Sequence, residues 1–504
     1  MDPYEFPSLQ LLVKPSPISG SDLEQFTVAH ARKLTQVLQS FKLEANVVGV
    51  QRGPSITMLE VELAPGTKLG RLRSLEDDLA MNLAARSVRI VAPIPGKSTA
   101  GIEIPNEVME TVRLSELITS PAFTRRQDKL GIPIFLGKDS AGYPRIEDLA
   151  QMPHLLVAGS TGAGKSVCLN TMIMSILYTR TPDQVQLILI DPKMVELSSF
   201  QNVPHLMCPV VTDMKRAAAI LEWAVEKMDS RYQLMHEVGV RNIYAYNKLG
   251  ADKIREKLGD NHSEDTETAL PLIVIVIDEL ADLMLVSAKD VETSITRLAQ
   301  KSRAVGIHVI LATQRPSTNV ITGLIKANLP TRIAFRVASK VDSRVILDAN
   351  GADKLLGAGD MLFLPPRSAE LVRVQGAFVE DQEIRNTVEF LASRGQPRYS
   401  RELMQRRSKP AQDPFEIDDL FEDATRYVVE TQRGSASLLQ RRFAIGYTRA
   451  SRLIDLMAGE AILGDYKGSQ AREVLMPPED LQAWIVQRKR SDSMDHEEEM
   501  EETA

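Results

Sequence analysis

Eight consecutive residues, Gly159, Ser160, Thr161, Gly162, Ala163, Gly164, Lys165 and Ser166, fit the pattern G-x-x-x-x-G-K-[ST]. Glycines in such a loop let backbone N–H groups turn inward on phosphate oxygens at a helix N-terminus. The lysine reaches the β- and γ-phosphates, and the hydroxyl after it ligates Mg2+. The apolar strand HLLVA precedes the loop, and the helix-compatible run VCLNTMIMSILY follows it, beginning at Val167. Gly159 to Val167 are therefore the candidate nucleotide contacts, with ATP and Mg2+ as the implied cofactors.

A second signal lies roughly 110 residues on, where PLIVIVIDEL ends an apolar strand in Asp278 and Glu279. Acids at the carboxyl end of a parallel strand face the crevice where ligands bind. Asp278 is placed to hold Mg2+ through water, and Glu279 to polarise an attacking water. That glutamate points to an ATP hydrolase rather than a nucleotide kinase. Alone, such a pair is a common helix cap; beside the phosphate loop it reads as chemistry. In HVILATQRPS, Thr313 and Gln314 end another strand, and Gln314 suits a sensor of the γ-phosphate or the lytic water. Asp191 and Lys193 in LILIDPKMVEL read equally well as a turn with a solvated charge pair. Arg303 closes a helix, where the dipole explains a cation. An arginine given in trans to a γ-phosphate is the other reading.

These residues need a parallel sheet to position them. Strands at 154–158, 186–190, 272–277 and 308–312 alternate with helical stretches, which predicts an α/β domain over 128–399. Residues 250–269 read as a polar surface excursion. Ahead of this domain, 1–127 reads as a small α+β unit: a helix over 22–41, a strand, a Gly53–Pro54 turn, the strand Ile56–Leu63, a helix over 72–85 and a strand at 88–92. Residues 400–414 read as a charged linker, 415–480 as a third unit, and 481–504 as an acidic, disordered tail.

Composition sets the outer limits. The 504 residues are 43% hydrophobic and 25% charged, ordinary for a soluble globular chain. A net charge of −7 argues against a uniformly basic surface but leaves room for a local basic channel. Two cysteines, Cys168 and Cys208, cannot build a disulfide framework, which suggests a reducing, cytoplasmic setting. The first residues lack the pattern of a signal peptide, and no apolar run is long enough to be a transmembrane segment.

The runs HLLVAGSTGAGKSVCLN, LIVIVIDELADLM, SRAVGIHVILATQRPSTNVITGLIKANLPTRIAFRVASKVDSRVILD and GADKLLGAGDMLF closely resemble the FtsK/SpoIIIE family of DNA translocases. VQRGPSITMLEVELAPGTKL resembles the family's small N-terminal motor subdomain, and QRRFAIGYTRASRLIDLMAGEAILGDYKGSQAREVL its winged-helix domain. The resemblance covers about Phe6 to Pro478. It implies a RecA-like P-loop ATPase domain with a small N-terminal α+β domain and a C-terminal winged-helix domain. It further implies a homo-hexamer around double-stranded DNA, with ATP between subunits. On that template Arg303 is the arginine finger, and Arg315, Lys340 and Arg344 lie on segments that face the pore. A site-specific recombinase is a further partner that the resemblance raises. Family members commonly carry a membrane anchor and a long linker ahead of the motor, and this sequence shows neither. A soluble member, a fragment and a separately encoded motor all fit.

The third unit is also legible by itself. Helix–turn–helix spacing runs from Leu438–Phe443 through Gly446 to Thr448–Met457, with a wing over 461–474. Arg441, Arg442, Arg449 and Arg452 cluster around the second helix, and Thr448, Arg452 and Asp455 share a face suited to base edges. The family typically has Asn and Glu where this chain has Thr448 and Asp455. The expected function is thus ATP-dependent translocation along duplex DNA in chromosome segregation at cell division. A secretion or conjugation motor of the same superfamily is the alternative. A regulator that uses ATP only to assemble is a third reading.

Overall fold

The computed structural model describes residues 4–16, 21–94, 96–258, 268–366, 368, 370–405, 420–443, 450, 453–454, 456–458, 460, 462–464, 472–482 and 484–485. The chain forms two compact units, Met1–Ser408 and Lys409–Ala504. The first holds two hydrophobic cores.

The smaller core lies under a four-stranded antiparallel sheet. Its strands are β1 (Ala45–Arg52), β2 (Ile56–Leu63), β3 (Arg89–Val91) and β4 (Ala100–Pro105), in the order β1-β2-β4-β3. Gly53 closes the β1–β2 hairpin by donating its N–H to Ile56 O at 2.8 Å. The helix Ser21–Ser40 covers this core with Leu34 and Leu38, one turn apart and fully buried. The helix expected over 72–85 is two short ones, Leu69–Arg73 and Glu76–Asn82. They part at Ser74, whose hydroxyl donates to Arg71 O at 2.8 Å, the local bonding by which serine competes with helix.

The larger core surrounds a nine-stranded sheet. Its strands are β5 (Pro133–Asp139), β6 (Pro144–Asp148), β7 (His154–Ala158), β8 (Val185–Ile190), β9 (Leu272–Ile277), β10 (Ile307–Thr313), β11 (Thr331–Phe335), β12 (Asp360–Leu364) and β13 (Val372–Gly376). The order is β6-β5-β13-β12-β11-β7-β10-β9-β8. The five strands from β11 to β8 are parallel, and the other four are antiparallel. Strand β7 lies between β10 and β11, and the next strand in the chain, β8, lies at the far edge on the β10 side while β11 lies on the other, which makes the carboxyl end of β7 a switch point open to a ligand. This is the RecA-like P-loop arrangement. The chain passes from the small core to the large one between Ile104 and Val112.

Two sequence expectations change here. Within 250–269, Ala251–Leu258 is a helix that buries Ile254 and Leu258, while 259–267 lie outside the described residues. Within 400–414, Arg401–Gln405 is a helix rather than linker. Leu403 is buried in the large core, and Trp223 Nε1 donates to Glu402 at 2.8 Å.

The second unit packs the helices Phe421–Thr431 and Ala436–Phe443 around Phe421, Val428, Leu439, Leu453 and Met457. Antiparallel bridges join Leu463 to Val474 and Gly434 to Arg472, where the wing was expected. Leu481 and Ile485 belong to the same core, so the stretch read as a tail begins as packed chain. Residues 486–504 lie outside the described residues.

Candidate nucleotide site

The loop 159–164 leaves β7 and enters the helix Lys165–Leu177. Gly159 N–H donates to Thr313 O at 3.3 Å and Ser160 N–H to Arg336 O at 2.9 Å, which anchors the loop to the last residue of β10 and the first past β11. Gly164 has φ 117°, and a Cβ there would lie 2.6 Å from Gly359 N, so only glycine fits. The first N–H groups of the following helix have no partner within it. They face a cavity of about 540 Å³ lined by Ser160, Thr161, Gly162, Gly164, Lys165, Ser166 and Val167. Gly159 and Ala163 are buried. The cavity's opposite wall, 109–112 and 375–378 with Gly359, was not singled out from sequence. The glycine-spaced run at 357–359 was its only signal.

The acids converge on this loop. Lys165 is buried, and its Nζ donates to Asp278 Oδ1 at 2.5 Å and to Asp278 O at 2.7 Å. Burial pushes the Asp278 carboxyl up, Lys165 pulls it down, and burial prevails. Asp278 Oδ2 is buried with no hydrogen-bond partner. Glu279 caps the helix Leu280–Lys301 by accepting from Ala281 N at 3.3 Å. It also accepts from Thr313 Oγ1 at 2.6 Å and Gln314 N at 3.1 Å. Gln314 in turn accepts from Thr161 Oγ1 at 3.0 Å. The carboxyl ends of β7, β9 and β10 thereby bring Lys165, Asp278, Glu279 and Gln314 together. Thr313 is the link that sequence reading left without a role of its own.

Asp191 resolves as a loop organiser. Its carboxylate accepts the backbone N–H groups of Lys193, Val195, Glu196 and Leu197 at 2.9–3.1 Å. That loop holds Lys193 Nζ 4.0 Å from Glu279. Arg303 is not part of this constellation. It sits before β10, exposed, donating to Gln151 Oε1 at 2.8 Å. The strand Ile307–Thr313 separates it from Gln314, roughly 20 Å at about 3.3 Å per residue. Among the described residues no group of three or more His, Cys, Asp or Glu could hold a metal.

Three family models match the chain in sequence order. The FtsK alpha domain matches 6–106, the FtsK/SpoIIIE family 113–318, and the Ftsk gamma domain 416–477. The chain belongs to the FtsK/SpoIIIE family. It is 48% identical over 481 residues to DNA translocase SftA of Bacillus subtilis, covering 95% of this chain and 49% of that protein. It is 48% identical over 486 residues to DNA translocase FtsK of Caldanaerobacter subterraneus, covering 96% and 66%. It is 48% identical over 476 residues to DNA translocase SpoIIIE of Bacillus subtilis, covering 94% and 59%. The chain thus spans between about half and two-thirds of these relatives' lengths.

The three basic residues expected at a pore, Arg315, Lys340 and Arg344, are exposed. Arg315 lies two residues past the end of β10, on the same carboxyl rim as the phosphate loop. Lys340 and Arg344 lie one turn apart on the helix Lys340–Leu347, both exposed, and Arg344 Nε donates to Asn350 Oδ1 at 2.8 Å. In the second unit Arg441 and Arg442 are exposed at the end of the helix Ala436–Phe443, with the Arg442 guanidinium 5.4 Å from the Tyr427 ring centre. Thr448, Arg449, Arg452 and Asp455 lie outside the described residues. No described helix is long and apolar enough to cross a membrane.

Proposed function

We propose that this chain is the ATP-hydrolysing motor of a translocase that moves along double-stranded DNA as a homo-hexameric ring, serving chromosome segregation at cell division. One observation carries the reading. Lys165 and Gln314 line one cavity at the carboxyl ends of the sheet, with Asp278 bonded to the first and Glu279 to the second, in a chain whose relatives are DNA translocases. A secretion or conjugation role receives no comparable support.

The residues present suit Mg2+, which keeps several waters and takes few protein ligands. Asp278 Oδ2 is buried and unpaired behind Lys165, and Ser166 lines the cavity beside that lysine. Together they would hold the ion, Asp278 through water, and the ion would neutralise charge on the β- and γ-phosphate oxygens. Lys165, now on Asp278, is positioned to exchange that carboxylate for phosphate oxygens. Gln314 positions the lytic water, and Glu279 polarises it and takes its proton as the oxygen attacks the γ-phosphorus and ADP leaves. Thr313 and the Gln314 N–H aim Glu279 at that task.

Arg303 lies too far from its own cavity to act there, which supports a role at the neighbouring subunit's nucleotide. Arg315, Lys340 and Arg344 are the candidate phosphate contacts of the pore, independent of DNA sequence. ATP turnover measured without DNA, with single strands and with duplex tests the reading. Duplex should stimulate most; equal rates in all three conditions would remove DNA as the motor's track.

A further inference from the structure

Charge is buried in a second place, away from the acids described above. Arg373 on β13 lies between two carboxylates. It grips Asp360 with two bonds, Nε to Oδ1 at 3.0 Å and Nη2 to Oδ2 at 2.7 Å. Its Nη1 donates to Glu103 Oε2 at 2.6 Å. Glu103 belongs to β4 of the small sheet and also accepts from Arg89 Nη1 at 3.0 and 3.1 Å. Arg373, Glu103 and Asp360 are 5%, 3% and 0% exposed. Burial opposes ionisation of Glu103, but the two guanidiniums outweigh it and hold the carboxyl below its ordinary value. Buried ionic groups of this kind add little net stability over apolar packing, so a role in fixing geometry is the better explanation.

The geometry they fix is the turn 357–359. Gly357, Ala358 and Gly359 have φ of 87°, 48° and 90°. A non-glycine residue such as Ala358 holds that conformation only where its surroundings over-determine it. Asp360 Oδ2 accepts from Leu356 N at 2.8 Å, Gln375 Nε2 donates to Ala358 O at 2.9 Å, and Gly376 N donates to Gly359 O at 2.7 Å. From this turn, Gly359 N–H donates to Ala163 O of the phosphate loop at 3.0 Å. In a planar trans peptide the C=O and the N–H point in opposite directions. Holding the Ala163 carbonyl therefore fixes the Gly164 N–H, one of the donors that the phosphate-loop pattern assigns to the nucleotide. The small sheet's unit grips the same segment a second time. Ser87 Oγ donates to Lys354 O at 2.9 Å, and Lys354 Nζ pairs with Asp77 at 2.6 Å.

We propose that Arg373 is a positioning residue for the nucleotide. Through Asp360 and Gly359 it sets the 163–164 peptide, and through Glu103 it makes that setting depend on the small N-terminal sheet. This rests on the nucleotide reading of the cavity. Coupling between two sites is reciprocal, so nucleotide must in turn tighten the small sheet.

Hydrogen exchange on the unmodified full chain, with and without MgADP, tests this directly. MgADP should slow exchange at 160–167, at 357–360, and at β3 and β4. Slowing at 160–167 without any change at β3 and β4 overturns the proposal. No slowing even at 160–167 removes the nucleotide reading itself, and the proposal with it. Binding of MgADP to variants gives the second readout. Arg373→Gln and Glu103→Gln should weaken it about tenfold, within the usual range of coupling between sites. Arg373→Lys, which keeps the charge but loses the fork, should fall between them and the unmodified chain. Were Arg373 only a brace for the fold, the variants would melt earlier yet bind MgADP with unchanged affinity. That result also overturns the proposal. If the variants do not fold, exchange on the unmodified chain decides alone.

Discussion

Lys165 follows β7 and Glu279 follows β9, with β10 between them, and the two carry separable tasks, binding and turnover. Lys165→Ala should abolish nucleotide binding, because the ammonium is the loop's only charged contact with the phosphates. Glu279→Gln keeps the shape and, through Oε1, the bonds from Ala281, Thr313 and Gln314, so it should bind MgATP normally while turnover falls roughly 10²–10⁴-fold, the usual worth of a positioned base. Equilibrium binding set beside steady-state turnover checks both; normal turnover in Glu279→Gln takes that residue out of the mechanism. These two were legible because the phosphate loop came with its strand and helix, and the acids with theirs. Thr313 was less legible: nothing in HVILATQRPS says that its hydroxyl faces Glu279 rather than solvent. Arg373 and Glu103 were beyond sequence reading, since 270 positions separate them and only the docking of two sheets brings them together.

Strands β7, β8, β9 and β10 could be read because each is a nearly unbroken apolar run, as burial on both faces demands. The antiparallel strands PRIED and VRVQG carry charges and abut turns, so neither period nor composition marks them. Two histidines within the readable strands have a measurable consequence. His154 and His308, at the starts of β7 and β10, are buried, and burial chiefly pushes them down from 6.5 to about 3 and about 4. Both stay neutral in the folded chain but protonate near pH 6.5 when it unfolds. The unfolded state therefore binds more protons between pH 6.5 and about 4, and stability falls as pH falls through that window. The loss approaches about 1.4 kcal/mol per pH unit for each histidine. Thermal melting at pH 7 and pH 5 should show a smaller drop in a chain carrying His154→Asn and His308→Asn. An equal drop in both chains would place the pH dependence elsewhere.

A motor that works between subunits should show it in mixtures. Arg303 sits on the opposite rim of the sheet from its own phosphate loop, so Arg303→Ala should spare folding and nucleotide affinity while lowering turnover roughly 10³-fold or more. Mixed with Glu279→Gln subunits, it should regain part of the lost activity, because an intact Arg303 can then meet an intact Glu279 across an interface. No recovery under conditions where subunits exchange would confine Arg303 to a local role such as its bond with Gln151.

Movement along the duplex can be read from displacement of a third strand. A triplex-forming oligonucleotide bound at one end of a linear duplex lies in the path of anything that tracks the double helix. With MgATP the chain should strip that strand with a lag that lengthens as the approach lengthens, and Glu279→Gln should strip none. Duplex-stimulated ATP hydrolysis without any displacement would rule out translocation, leaving a DNA-dependent ATPase that does not travel.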